Sequence, residues 1–157
     1  MNDLVLAADD HRWEAYELAV HGHSFAAIYL AGFTVEMVLK TAGFIVDGAG
    51  RADPVGARLG PAKTYGGQRF PTIKYESFHS LRFWAAFLEH KRVDHGKPLA
   101  PGLLAELSAR TARASETWWI EMRYRPAAPS AAVAQVEVLP LLEDVDWFLK
   151  NHAQLWS

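Results

Sequence analysis

Apolar residues occupy every side of the segment spanning residues 24–43, SFAAIYLAGFTVEMVLKTAG, and only Glu36 and Lys40 interrupt it with charge. A helix that is apolar all round belongs at the centre of a bundle, not on its surface. Ser24 is placed to cap its start and Gly43 to end it in a left-handed turn. Upstream, residues 3–21 carry Trp13, Tyr16 and Val20 at helical spacing, with Asn2 or Asp3 as cap and Gly22 as stop, which predicts a first helix. Gly22 and His23 alone separate the two, and so short a connection makes them an antiparallel hairpin.

The pattern dissolves over residues 44–77, where Gly48, Gly50, Pro54, Gly56, Gly60, Pro61, Gly66, Gly67 and Pro71 oppose sustained helix and predict one long loop. Residues 69–75 alternate weakly, enough for a short strand within it. A connection well beyond the usual length of about 4–6 residues tends to be functional or mobile. This one carries Arg51, Arg58, Lys63, Arg69 and Lys74 against Asp47, Asp53 and Glu76.

Helical spacing resumes at His79 with Leu81, Trp84, Ala85, Leu88 and Val93, and stops at Gly96 and Pro98. Pro101 suits the first turn of a fourth helix, which includes the Glu106–Arg110 pair and runs to Tyr124 before Pro126 and Pro129. A fifth helix extends from about Ser130 to about Asn151, with Pro140 as a kink or break and Val136, Leu141, Val145, Phe148 and Leu149 as core candidates. The expectation is one all-α domain over residues 1–157, an up-down five-helix bundle with a long Gly/Pro-rich loop between its second and third helices. Nothing like residues 13–42 recurs at a fixed period, which excludes a helical solenoid.

Composition narrows the classes. A chain of 157 residues can build its own core without disulfides, and it has no cysteine. The formal charge of −2 offers no global basis for nonspecific nucleic-acid or anionic-membrane binding, and no DNA specificity is evident. The amino terminus, MNDLVLAADD, lacks a basic start with an apolar run, and the longest uncharged apolar stretch stops at Glu36, so a cytoplasmic protein with no membrane contact is expected. Six Trp, eight Phe and five Tyr exceed what a small core easily buries, which predicts a homodimer. Seven histidines raise the question of a metal, yet His21 and His23 form a bare H-x-H, and His90 and His95 do not share a helix face; no metal site and no cofactor are expected. Residues 56–64, GARLGPAKT, have the wrong spacing for a phosphate loop, and no serine sits in a nucleophile elbow.

Three groups carry candidate chemistry. Glu36 and Lys40, at i and i+4, are either an intrahelical ion pair or part of a polar cleft, because burying them unpaired costs several kcal/mol. The run Trp118-Trp119-Ile120-Glu121-Met122-Arg123-Tyr124-Arg125 puts two guanidinium groups and a phenol beside paired indoles, of which one belongs to the core and the other to an edge. His79, opening the third helix, is a cap, a packing residue or a proton carrier.

These pieces together, a helical hairpin with LAGFTVEMVLK, a variable loop, HSLRFW, and WWIEMRYRP before a last helix, resemble the HEPN domain family over nearly the whole chain. The resemblance implies a small, generally homodimeric helical bundle of the kind found in toxin–antitoxin and defence systems, beside minimal nucleotidyltransferases, or as a nucleotide-binding module. It implies Glu36, Lys40, His79, Arg123 and Tyr124 as the recurrent polar positions, and the residues themselves add Arg125, beside Arg123, as a second guanidinium for binding a ligand together with Glu36, Lys40, Arg123 and Tyr124. HEPN ribonucleases have an Arg followed by a His with four to six residues between them on the same helix, and no Arg here has a His at that separation; Arg82 and His90, with seven residues between them, come nearest. The expected function is therefore a noncatalytic module that binds a nucleotide or a protein partner. The alternative is a metal-independent endoribonuclease toxin in which His79 and Arg123 are catalytic and RNA is the substrate, with an antitoxin or a partner nucleotidyltransferase as its companion.

Overall fold

The computed structural model describes residues 2–50, 52–73, 78–120, 122 and 131–157, and among them it contains six helices and no strand. They are α1 (Asn2–Val20), α2 (Ser24–Val46), α3 (Val55–Arg69), α4 (Leu81–Asp94), α5 (Pro101–Thr117) and α6 (Ala131–Trp156). The all-α class is as expected, while the helix count exceeds the predicted five.

α2 is the axis. It packs against α1, α4 and α6, and Ala27, Ile28, Ala31, Val35, Val38, Leu39, Ala42 and Phe44 are buried along it. By length and composition α2 could span a membrane, yet 72% of its most apolar window is buried by the chain itself, as for a core helix. The α1–α2 hairpin turns at Gly22, whose φ of +79° is the left-handed region that glycine enters without steric cost. Ser24 does not cap α2: His23 holds the N-cap position without a side-chain bond, and Ser24 is already helical and buried. Nor does Gly43 end it. A Cβ at Gly43 would lie 2.7 Å from a Phe87 ring carbon, so the glycine serves close helix packing, and the left-handed residue is Gly48, beyond Val46.

The predicted 44–77 loop is corrected by α3, which runs through Pro61 despite four internal glycines. Local propensity opposes this helix, and tertiary contact overrides it. Ala62 and Gly66 are buried, the Tyr65 ring meets Phe70 and Phe87 edge-on, and Tyr65 Oη donates to Asp94 Oδ2 at 2.6 Å while Arg69 binds the same carboxylate. Arg58 is engaged likewise, with Asp53 and, at 4.0 Å, with Asp47. The segment proposed as a strand has no strand character at residues 69–73; residues 74 and 75 lie outside the described part.

α5 stops at Thr117, short of the predicted Tyr124, because Trp118 leaves the helix in extended conformation and inserts against α2. A Cβ at Gly32 would be 2.0 Å from Trp118 Cγ, so the indole fills the niche that glycine leaves open, and its Nε1 donates to the Tyr29 carbonyl at 3.1 Å. Trp118 is core and Trp119 only half-buried, as the paired-indole reading required. α6 continues unbroken through Pro140, which lies on its exposed side, to Trp156. Its buried face is set by Ala134, Val138, Leu141, Leu142, Val145 and Phe148; Val136, taken from the sequence as core, is 75% exposed.

Trp84, Trp118, Phe44, Phe83, Phe87 and Phe148 are all fully buried within a single chain. Trp13, 58% exposed, and Phe78, 40% exposed, lie outside that core.

Candidate functional site

Phe33, Glu36 and Lys40 fall at i, i+3 and i+7 on α2 and share one side of the helix. That side faces the start of α4. Ser80 caps α4 by accepting from the Phe83 amide at 3.3 Å, which leaves His79 one residue outside the helix instead of opening it, as the sequence had suggested. The cap fixes where the imidazole emerges. Trp84 Nε1, one turn into α4, donates back to the Phe78 carbonyl at 2.9 Å and ties down the approach.

The two segments bring three polar side chains to one point. Glu36 is 3% exposed and Lys40 8%, and the Lys40 ammonium is bonded to Glu36 Oε1. His79 Nδ1 lies 2.9 Å from Glu36 Oε2 and 3.1 Å from Oε1. With carboxylate oxygens as acceptors Nδ1 donates, and the two contacts hold the ring in one orientation. The Lys40 ammonium also stands 5.2 Å from the Trp84 ring centroid, in the range of a cation–π contact, and Phe33 meets the His79 ring edge-on at 5.9 Å. Phe33 in turn packs on Trp118, 5.6 Å between centroids, which links the site to the end of α5.

The electrostatics follow from burial. Removing a carboxylate and an ammonium from water is costly unless each is paired at short range, and here one carboxylate serves both Lys40 and His79. His79, with 35% of its side chain exposed, is the part of the cluster that meets solvent, with Glu36 and Lys40 behind it. Chemically, this is an oriented imidazole N–H and an ammonium around a shared carboxylate.

Of the predicted site residues, Glu36, Lys40 and His79 are brought together, whereas Arg123, Tyr124 and Arg125 lie outside the described residues. Two participants escaped sequence reasoning. Phe33 was legible, three residues before Glu36 on the same side of the helix; Trp84 was not, because its contact with Lys40 is between helices and no spacing encodes it. Among the described residues no three His, Asp or Glu side chains form a group able to hold a metal ion. The GARLGPAKT run lies inside α3 and forms no strand–loop–helix phosphate site.

A second buried carboxylate, Asp144 on α6, is 1% exposed and is bound by Arg110 Nη1 at 2.8 Å and by both Nε (3.2 Å) and Nη2 of Arg113. Arg110 also holds Glu106 at 2.8 Å and lies 5.2 Å from the Trp147 centroid, so this cluster locks α5 onto α6.

Compared with protein-family models, with curated proteins and with solved structures, the chain matches none.

Proposed function

We propose that this chain is a noncatalytic, HEPN-like binding module that holds a nucleotide or a polar segment of a protein partner at the Glu36–Lys40–His79 cluster. The observation that supports this reading is the convergence of a buried carboxylate, a buried ammonium and a half-exposed imidazole at the junction of α2 and α4. A hydrogen-bonded imidazole at the rim, with charge behind it, suits recognition of a phosphate or carboxylate oxygen. Arg123 and Arg125 add bidentate donors, and Tyr124 a stacking face, in the same proposal. Titration calorimetry with nucleoside mono-, di- and triphosphates is expected to give saturable heat that disappears in His79→Ala. Absence of heat with every nucleotide removes the nucleotide reading. A homodimer and a cytoplasmic setting in a toxin–antitoxin or defence system belong to the same proposal; light scattering that finds a monomer at high concentration removes the dimer.

One observation favours a second reading. A carboxylate that fixes an imidazole through Nδ1 is the arrangement used to position a general acid or base. On that reading the chain is an endoribonuclease with His79 moving protons and Arg123 stabilising the phosphate. RNA cleavage that persists unchanged in His79→Ala and Arg123→Ala rules it out.

A further inference from the structure

α1 has a second face that the core does not use. Leu4, Ala8, Ala15, Tyr16 and Ala19 pack inward, while Leu6 is 66% exposed, Trp13 58% and Val20 80%. These three stand seven residues apart, a spacing that drifts only about 20° per heptad and keeps them in one row over roughly 21 Å of helix. The row is framed by acid. Asp9, Asp10, Glu14 and Glu17 are all exposed, and at 3.6 residues per turn Asp9 and Glu17 lie about 40° to either side of Trp13. Arg12, shared between Asp9 at 3.4 Å and Asp146 of α6 at 3.0 Å, offsets part of the charge at Asp9 and leaves Asp10, Glu14 and Glu17 to keep the frame acidic. Its guanidinium stands 4.4 Å from the centroid of Trp13, which braces the indole in place. His11 lies 2.9 Å from Glu14 and His21 3.9 Å from Glu17.

Charge decides what fits here. A second copy of the chain would set Asp and Glu against Asp and Glu in either orientation, and an anionic lipid surface or a nucleic-acid backbone would meet the same repulsion. We infer that this face of α1 docks a basic amphipathic helix of a partner protein, its apolar side chains over Leu6, Trp13 and Val20 and its Lys or Arg side chains beside Asp9, Asp10 and Glu17. Trp13 is the anchor: a large, pre-positioned aromatic ring between charged flanks has the character of a binding hot spot. This inference is independent of the proposal for Glu36, Lys40 and His79.

The test uses the full chain and two synthetic helical peptides with Leu at heptad a and d positions, one with Lys at the flanking positions and its twin with Glu there. The Lys peptide is expected to bind, more weakly as salt rises, and about tenfold or more weakly to Trp13→Ala. Binding is expected to vanish in the double variant Asp10→Lys/Glu17→Lys, and the Glu peptide is expected not to bind. Circular dichroism checks that Trp13→Ala is folded, and Leu6→Ser provides a second disruption of the row. No binding of the Lys peptide, equal binding of both twins, or unchanged affinity in Trp13→Ala overturns the inference. A homodimer in sedimentation that Trp13→Ala dissociates would assign the face to a second copy and overturn it equally.

Discussion

Glu36 and Lys40 make opposite demands on a mutant. Lys40→Met leaves a carboxylate only 3% exposed with His79 as its described partner, and Glu36→Ala leaves a buried ammonium without its counter-ion. Each single change is expected to cost about 3–5 kcal/mol, whereas the double variant Glu36→Leu/Lys40→Met should be much closer to wild type than the sum of the singles. Urea denaturation of all four proteins measures the coupling, and simple additivity would mean that the pair contributes nothing jointly. Tyr16 supplies a second residue-scale test. Burial first, then its hydrogen bond to Asp146 at 2.7 Å, raises its pKa from 10.0 to about 12. The folded state therefore keeps a proton that the unfolded chain releases. This stabilisation is complete below pH 10 and is lost as pH rises toward 12, so wild type should lose stability over that interval more steeply than Tyr16→Phe in alkaline thermal melts.

At the scale of elements, α3 is the helix that owes least to its own sequence. Pro61 has no N–H for the Ala57 carbonyl and sits on an exposed side, so Pro61→Ala restores a bond without crowding the core. It is expected to stabilise α3 by up to about 3 kcal/mol, read as slower amide exchange in the turns that follow residue 61. The same helix marks the limit of what the chain discloses locally. Glycine and proline content argued for loop, and the decisive contacts, Tyr65 and Arg69 on Asp94 of α4, join residues 25 or more apart that no periodicity connects. The hairpin of α1 and α2, the stop at Gly96 and the burial of α2 were readable because they rest on turn glycines and on all-round apolarity, signals confined to single short segments. Half of the site was readable for the same reason: Glu36 and Lys40 share one helix, and their pairing follows from i, i+4 spacing. The partnership of Glu36 with His79, 43 positions away, became visible only through packing. Apolar spacing also misassigned Val136 to the core, because periodicity identifies a row of side chains without saying which row another element covers.

For the whole molecule, the central helix organises the bundle, and α3 joins it through α4. α1, α4 and α6 each lie on α2, and Trp118 brings the end of α5 to it as well. Gly32→Ala is the substitution that tests this dependence, because its new methyl group would overlap the Trp118 ring, with Cγ 2.0 Å away. A cost of about 1–3 kcal/mol or more is expected in thermal unfolding, as for other overpacked cores. The damage should reach the polar cluster, since Trp118 touches Phe33 and Phe33 touches His79.

The fit between Gly32 and Trp118 also constrains how this lineage can change. Neither position is free to drift alone: enlarging residue 32 demands a smaller group at 118, and shrinking 118 opens a void that a bulkier residue at 32 would refill. Homologous chains should therefore show the two positions exchanging volume in step, a covariation between sites 86 residues apart that a sufficiently deep set of descendants would reveal or refute.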